Sequence, residues 1–179
     1  MFLTIYERDN FYKNWLKLLT FVNNKYDIIK NFGNPKSPVG LKIEELMKIR
    51  DKLWENDFLI NEYLKKAKIK NFDKDVIFSW NKNVKGKFLF IRSLKKHSVF
   101  MDLNKKFLYG VYGISSPIID IMPYLPIMIQ TVLIPYNGKI IFDSLIIRDN
   151  VSFGRNMRQS FNEEYMEIKK NNGIRTVLE

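Results

Sequence analysis

Few residues in this chain could do chemistry. It has no cysteine and one histidine, His97. Without cysteine there is no thiolate nucleophile, no disulfide and no cysteine-ligated zinc or iron–sulfur cluster. A zinc ion at His97 would need carboxylate or water in its other positions, an uncommon set. The Walker and dinucleotide glycine patterns are both absent, so no metal and no cofactor is expected. Asp143, in Ile140-Ile-Phe-Asp-Ser144, stands at a strand end, where a carboxylate could ligate a metal or act as a base. A second carboxylate at motif spacing is missing, and the other reading is a turn cap that accepts from the Ser144 or Leu145 amide. No catalytic residue is assigned, and the chain reads as a non-enzyme.

Binding chemistry is better represented. Six cations, Lys85, Lys87, Arg92, Lys95, Lys96 and Lys105, lie between Lys82 and Lys106 against one acid, Asp102. Phe88, Phe90, Phe100 and Phe107 interleave with them. Cations and aromatics on a sheet can hold single-stranded nucleic acid by phosphate contact and base stacking. Strand alternation offers another account, with Phe inward and Lys outward. Phe153-Gly-Arg-Asn-Met-Arg158 places Arg155 and Arg158 at a helix N-terminus, a candidate anion site, although a lone glycine before a helix is also ordinary helix initiation. The formal charge is +11 and the pI about 9.7. Abundant Lys, Asn, Ile, Phe and Tyr fit AT-rich coding; an anionic partner fits the same charge.

The elements that must carry these residues change character at about Val84. Before it, apolar residues recur at helical spacing; after it, short β-rich runs alternate with turns. The spacing predicts helices over residues 10–23, 41–54, 57–66 and 73–82, with Asn71 capping the fourth. Phe11, Trp15, Leu18, Leu19 and Val22 form the first stripe, and Trp15, Trp54 and Trp80 read as core. Residues 31–40, with two glycines and two prolines, are a loop. Strands are expected at 87–93, 98–103 and 107–112 as a meander, then a short helix from Pro117 through Met122 and a strand at 129–134. Asn137-Gly138 supplies the two φ > 0 positions of a type I′ turn, so residues 132–136 and 139–143 make a hairpin. Residues 145–148 continue as a strand. The last helix spans 155–171 on a stripe of Met157, Phe161, Tyr165 and Ile168, with Gly173 as its stop.

The fold class is α+β: a helical N-terminal part, an antiparallel sheet and a closing C-terminal helix. Residues 1–179 read as one domain, with a mainly helical subregion at 1–83 and the sheet with its helix at 84–177. Leu178-Glu179 resembles a restriction-site scar before a tag. No signal peptide is visible, and the apolar stretch at 118–135 is broken by Asp120, Gln130 and three prolines. The expectation is a soluble, cytoplasmic protein with no membrane partner.

Three resemblances bear on function. Residues 59–173 resemble a family of uncharacterised bacterial proteins, through Leu59-Ile-Asn-Glu-Tyr63, Ser79-Trp80, the Phe-rich hairpin, Tyr109-Gly-Val-Tyr-Gly113, Pro135-Tyr-Asn-Gly-Lys-Ile-Ile-Phe-Asp-Ser144 and Phe153-Gly154. Members are sometimes joined to a SEC-C zinc motif, which is absent here; the resemblance implies a fold and no activity. Arg92-Ser-Leu-Lys-Lys-His97 is similar to the R-x4-H spacing of HEPN ribonucleases, which implies metal-free RNA cleavage by Arg92 and His97 on one helix. Here the match falls between two expected strands. By profile, the chain resembles phage-derived anti-CRISPR proteins, whose partners include RNA-guided RNA nucleases of the Cas13a type.

The leading expectation is a non-enzymatic interaction protein that inhibits or modulates a nucleic-acid-handling complex, an effector of that type included. The alternatives are an RNA or single-stranded DNA binding domain using the basic hairpin, and a ribonuclease using Arg92 and His97.

Overall fold

The computed structural model describes residues 1–104 and 106–178. The chain forms two compact units, Thr4–Asn81 and Met1–Leu3 with Lys82–Glu179.

The first unit is helical: α1 (Ile5–Tyr26), α2 (Ile43–Trp54), α3 (Leu59–Lys66) and α4 (Asn71–Ser79). Helix α1 begins five residues before the expected start because Thr4 and Glu7 close a capping box. The Thr4 hydroxyl accepts from the Glu7 amide at 3.3 Å, and the Glu7 carboxylate accepts from the Thr4 amide at 3.0 Å. Two otherwise unpaired amides are satisfied, which stabilises the first turn. The expected stripe is buried, Phe11, Leu18 and Val22 completely. Trp15 lies between Trp54 and Trp80, ring centroids 5.9 and 5.7 Å away. At α4, Lys70 takes the N-cap position and Asn71 is the first helical residue, correcting the expected cap. Asp73 in that first turn is buried. It accepts from Asn14 at 2.9 Å and pairs with Lys13 at 3.1 Å, which ties α4 to α1.

The second unit holds β1 (Val84–Ser93), β2 (Ser98–Asp102), β3 (Leu108–Tyr112), the single turn α5 (Ile118–Ile121), β4 (Ile127–Tyr136), β5 (Lys139–Phe142), β6 (Ile147–Arg148) and α6 (Arg155–Asn172). The meander β1–β2–β3 and the β4–β5 hairpin both form, and the hairpin turn has φ +49° at Asn137 and +72° at Gly138. Two pairings then join these pieces. β1 runs antiparallel to β4 from Val84–Leu133 to Phe90–Ile127, and β3 runs parallel to β5 at Val111–Ile140. The result is a closed ring in the order β1-β2-β3-β5-β4-β1, with β6 on β4. The sheet is therefore mixed: among the described residues every strand pair is antiparallel except β3 with β5.

Helix α6 lies on the outside of the ring. Phe153, Tyr165 and Ile168 pack on Leu89, Ile91, Val99, Met101 and Leu108. Strand residues of the opposite parity, Phe88, Phe90, Phe100 and Tyr109, point into the ring, where their side chains contact one another edge-on or tilted. Each such buried side chain contributes about 1.5–3 kcal/mol. Met157, placed on the α6 stripe by its spacing, is half exposed. Gly173 stops α6 at φ +69°. The chain then pairs once more: the Arg175 amide donates to Leu108 O, and the Gly110 amide donates to Arg175 O, both at 2.8 Å. Among the described residues no helix is long and apolar enough to cross a membrane.

Candidate functional site

The ring divides the basic stretch. Phe88 faces Asp102 at one end of the β1–β2 pair and Ser93 faces Ser98 at the other. Lys82, Lys85, Lys87 and Lys106 therefore gather at one end of the ring. Lys95 and Lys96, in the β1–β2 turn, sit at the other, roughly 25 Å along the strand from Lys87. Lys82, Lys85, Lys95, Lys96 and Lys106 are exposed. Lys87 is bound to Asp149 at 2.6 Å. Lys105 lies outside the described residues. The interleaved phenylalanines do not share this surface. Phe88, Phe90 and Phe100 are at most 1% exposed, so they cannot stack on bases. Phe107 is half-buried, and the Arg175 guanidinium covers its ring at 3.5 Å. Strand alternation, not a stacking platform, accounts for the pattern.

At the turn end, two arginines that the sequence assigns to separate sites line one cleft of about 440 Å³: Arg92 and Arg158, with Ser93, Leu125, Pro126 and Asn162. A β-bulge after Phe90 brings this about. The extra residue lets both Ile91 and Arg92 turn toward α6. Arg92 donates to Asn162 Oδ1 and lies over the Tyr165 ring at 5.3 Å. Arg158 Nε donates to Phe153 O at 2.9 Å and its Nη1 to Leu125 O at 3.4 Å. These contacts fix both guanidinium planes and leave further N–H donors on each. Arg155 is exposed in the first turn of α6. One end of the ring thus presents Arg92, Arg158, Lys95 and Lys96 together.

His97 and Arg92 do not share a helix; they flank the β1–β2 turn. The His97 ring lies flat on Gly110, and its buried Nε2 has no hydrogen-bond partner among the described residues. Burial, then the Lys96 charge and the Met1 ammonium, hold its pKa below the ordinary histidine value. Asp143 is completely buried after β5. Its amide donates to Val132 O at 3.0 Å, and the Thr131 hydroxyl stands 3.4 Å from its carboxylate but donates at 2.7 Å to Leu145 O. Among the described residues no three His, Cys, Asp or Glu side chains are grouped to hold a metal.

At the opposite end, a cleft of about 370 Å³ is lined by Lys82, Asn83, Tyr109, Arg175, Val177 and Leu178, among others. Arg175 and the 174–178 tail carry no local signal in the sequence. Their position follows from the tail's pairing with β3. A neighbouring cleft between Lys106 and α6 includes Glu164 and Glu167, so its charge is mixed.

No protein-family model, no curated protein and no solved structure matches this chain.

Proposed function

We propose that this chain is a non-enzymatic binding protein for the phosphate backbone of single-stranded nucleic acid, RNA first, and that it modulates a nucleic-acid-handling complex by occupying that strand. The observation that carries the reading is the convergence of Arg92 and Arg158 on one cleft beside the Lys95-Lys96 turn. Guanidinium planes held by side-chain and carbonyl partners bind phosphate with less ordering cost than free ones. The ring order 1-2-3-5-4-1 supports it. That order is the Greek-key order of OB-type barrels, which bind oligonucleotides on the face of strands 2 and 3 and through the 1–2 and 4–5 loops. This is a likeness of fold alone. Here α6 covers the strand face, and the β1–β2 turn is left. With Phe88, Phe90 and Phe100 inside, the hairpin offers phosphate contacts and no stacking platform, so binding is sequence-tolerant and strongly salt-dependent.

Four phosphate contacts on a single strand give a slope of log K against log salt of about −3, a loss of roughly 50-fold between 50 and 200 mM salt. Fluorescence anisotropy with a single-stranded RNA measures it. The double variant Lys95→Glu, Lys96→Glu is expected to bind more weakly and to lower the slope to about half. Unchanged affinity in that variant, or no binding at 50 mM salt, overturns the reading. The modulator version is tested with a purified Cas13a-type effector and guide RNA. Undiminished cleavage at protein concentrations that saturate the RNA overturns that part.

A further inference from the structure

The cleft at the other end of the ring has the makings of a phosphate pocket. Arg175 is fixed twice. Its backbone is pinned to β3 by hydrogen bonds to Leu108 and Gly110, and its guanidinium lies flat on Phe107 at 3.5 Å. A stacked guanidinium keeps its N–H edge free for bidentate contact with an anion. The Arg175 and Lys82 side chains make no ion pair or hydrogen bond among the described residues. Tyr109, 4% exposed, and Asn83 add a phenol and an amide to the wall. Of the acids at this end, Glu164 and Glu167 line the neighbouring cleft, and Asp102, whose charge is felt at Tyr109, faces its own turn, where its carboxylate accepts from the Lys106 and Phe107 amides at 2.8 and 3.2 Å. The cleft volume is in the range of small-ligand sites. It is wide enough for more than a bare ion, and Val84 and Val177 give it an apolar side.

We infer that this cleft binds a phosphate monoester through Arg175 and Lys82, as the 5′-phosphate of a nucleic-acid strand. The choice of a strand end over a free mononucleotide rests on the proposed function; the phosphate chemistry does not. It predicts a protein that prefers phosphorylated ends, with the backbone contacts supplied separately by the Arg92–Arg158 end.

Anisotropy at 50 mM salt with a short single-stranded RNA carrying either a 5′-phosphate or a 5′-hydroxyl tests it, with AMP as competitor and methyl NMR for direct AMP binding. The 5′-phosphate RNA is expected to bind at least tenfold tighter. Arg175→Gln, or Lys82→Gln should the first variant misfold, is expected to bring the two RNAs within twofold of each other. Equal binding of both RNAs by the unaltered protein overturns the pocket and leaves backbone binding standing. So does a preference that survives both substitutions. If neither RNA binds but AMP shifts the Val84 and Val177 methyl signals, and Arg175→Gln abolishes the shift, the pocket stands with a mononucleotide as its ligand and the function proposed above falls. Failure of both RNAs and of AMP overturns both.

Discussion

The packing of His97 on Gly110 makes a quantitative prediction. A Cβ on residue 110 would stand 2.9 Å from both Cγ and Cδ2 of His97 and 3.1 Å from Nδ1. Ordinary carbon contacts are about 3.5–4.0 Å, so the overlap is roughly 0.6–1 Å. The backbone of Gly110 cannot retreat, because its amide is bound to Arg175 O at 2.8 Å and it pairs with Val99 in the sheet. The imidazole must move. Gly110→Ala is expected to cost about 1–3 kcal/mol, as overpacking does. His97→Ala removes the ring together with a buried nitrogen that has no partner among the described residues, and is expected to cost about 1 kcal/mol or less. In the double variant the obstacle is gone, so its stability should match that of His97→Ala alone. The coupling energy is then about 1–3 kcal/mol, well above the ~0.5 kcal/mol scatter of independent sites. All three tryptophans lie within residues 4–81, so tryptophan fluorescence does not report on the ring. Urea unfolding should be followed through the methyl signals of Met101 and Met128, which pack with α6. At a slope of about 2 kcal/mol per molar, Gly110→Ala lowers the midpoint by about 0.5–1.5 M. Additive losses, or a Gly110→Ala protein as stable as the original, would refute His97 as a ring packed on that glycine.

Three further outcomes follow from the same reasoning. His97 titrates below its unfolded value of 6.5, so the neutral ring's contribution is complete above that pH and is lost as pH falls through the lower folded value. The stability difference between the original protein and His97→Ala, measured by urea unfolding, should therefore shrink or reverse between pH 7.5 and 5.5. Gly113→Ala should destabilise more than Gly110→Ala, by about 3 kcal/mol or more, since its Cβ would lie 1.9 Å from the backbone oxygen of Ser116; thermal unfolding by circular dichroism ranks the two. Asp73→Ala leaves the buried Asn14 amide without its acceptor and should cost about 1–3 kcal/mol by tryptophan-monitored unfolding. Burial raises the Asp73 pKa, but hydrogen bonds from Asn14, Lys13 and Asn10 outweigh it and hold the pKa below 3.8. The stabilising contribution is thus present at neutral pH and lost only as pH falls below that value.

Local chemistry was legible in the sequence wherever a few adjacent residues decide it. Asn137-Gly138 fixes the hairpin, Gly173 stops α6, and the helical stripe of α1 is the buried one. Thr4 and Glu7 carry a capping-box signature that explains why α1 starts at Ile5 and not at Asn10. What local pattern does not contain is the closure of the ring. Nothing in residues 84–90 specifies that they pair with 127–133, because the backbone of either strand has several acceptable partners, and the choice is made by the whole sheet. The basic residues suffered most from this. Read along the chain they form one hairpin patch; folded, they separate to two ends, and the bulge at Ile91 turns Arg92 outward, toward Arg158, instead of into the ring with Phe88 and Phe90. Arg175 was illegible for the same reason, since its place depends on two hydrogen bonds to a strand more than sixty residues earlier.

The central claim is that this chain binds a single-stranded RNA by its phosphates and leaves the strand intact. A single incubation of end-labelled RNA with the protein at 50 mM salt, run half on a native gel and half on a denaturing gel, tests both parts at once. The expected result is a shifted native band that the Lys95→Glu, Lys96→Glu variant weakens, and full-length RNA on the denaturing gel. An unshifted native band, or shortened RNA that His97→Ala restores to full length, would contradict it.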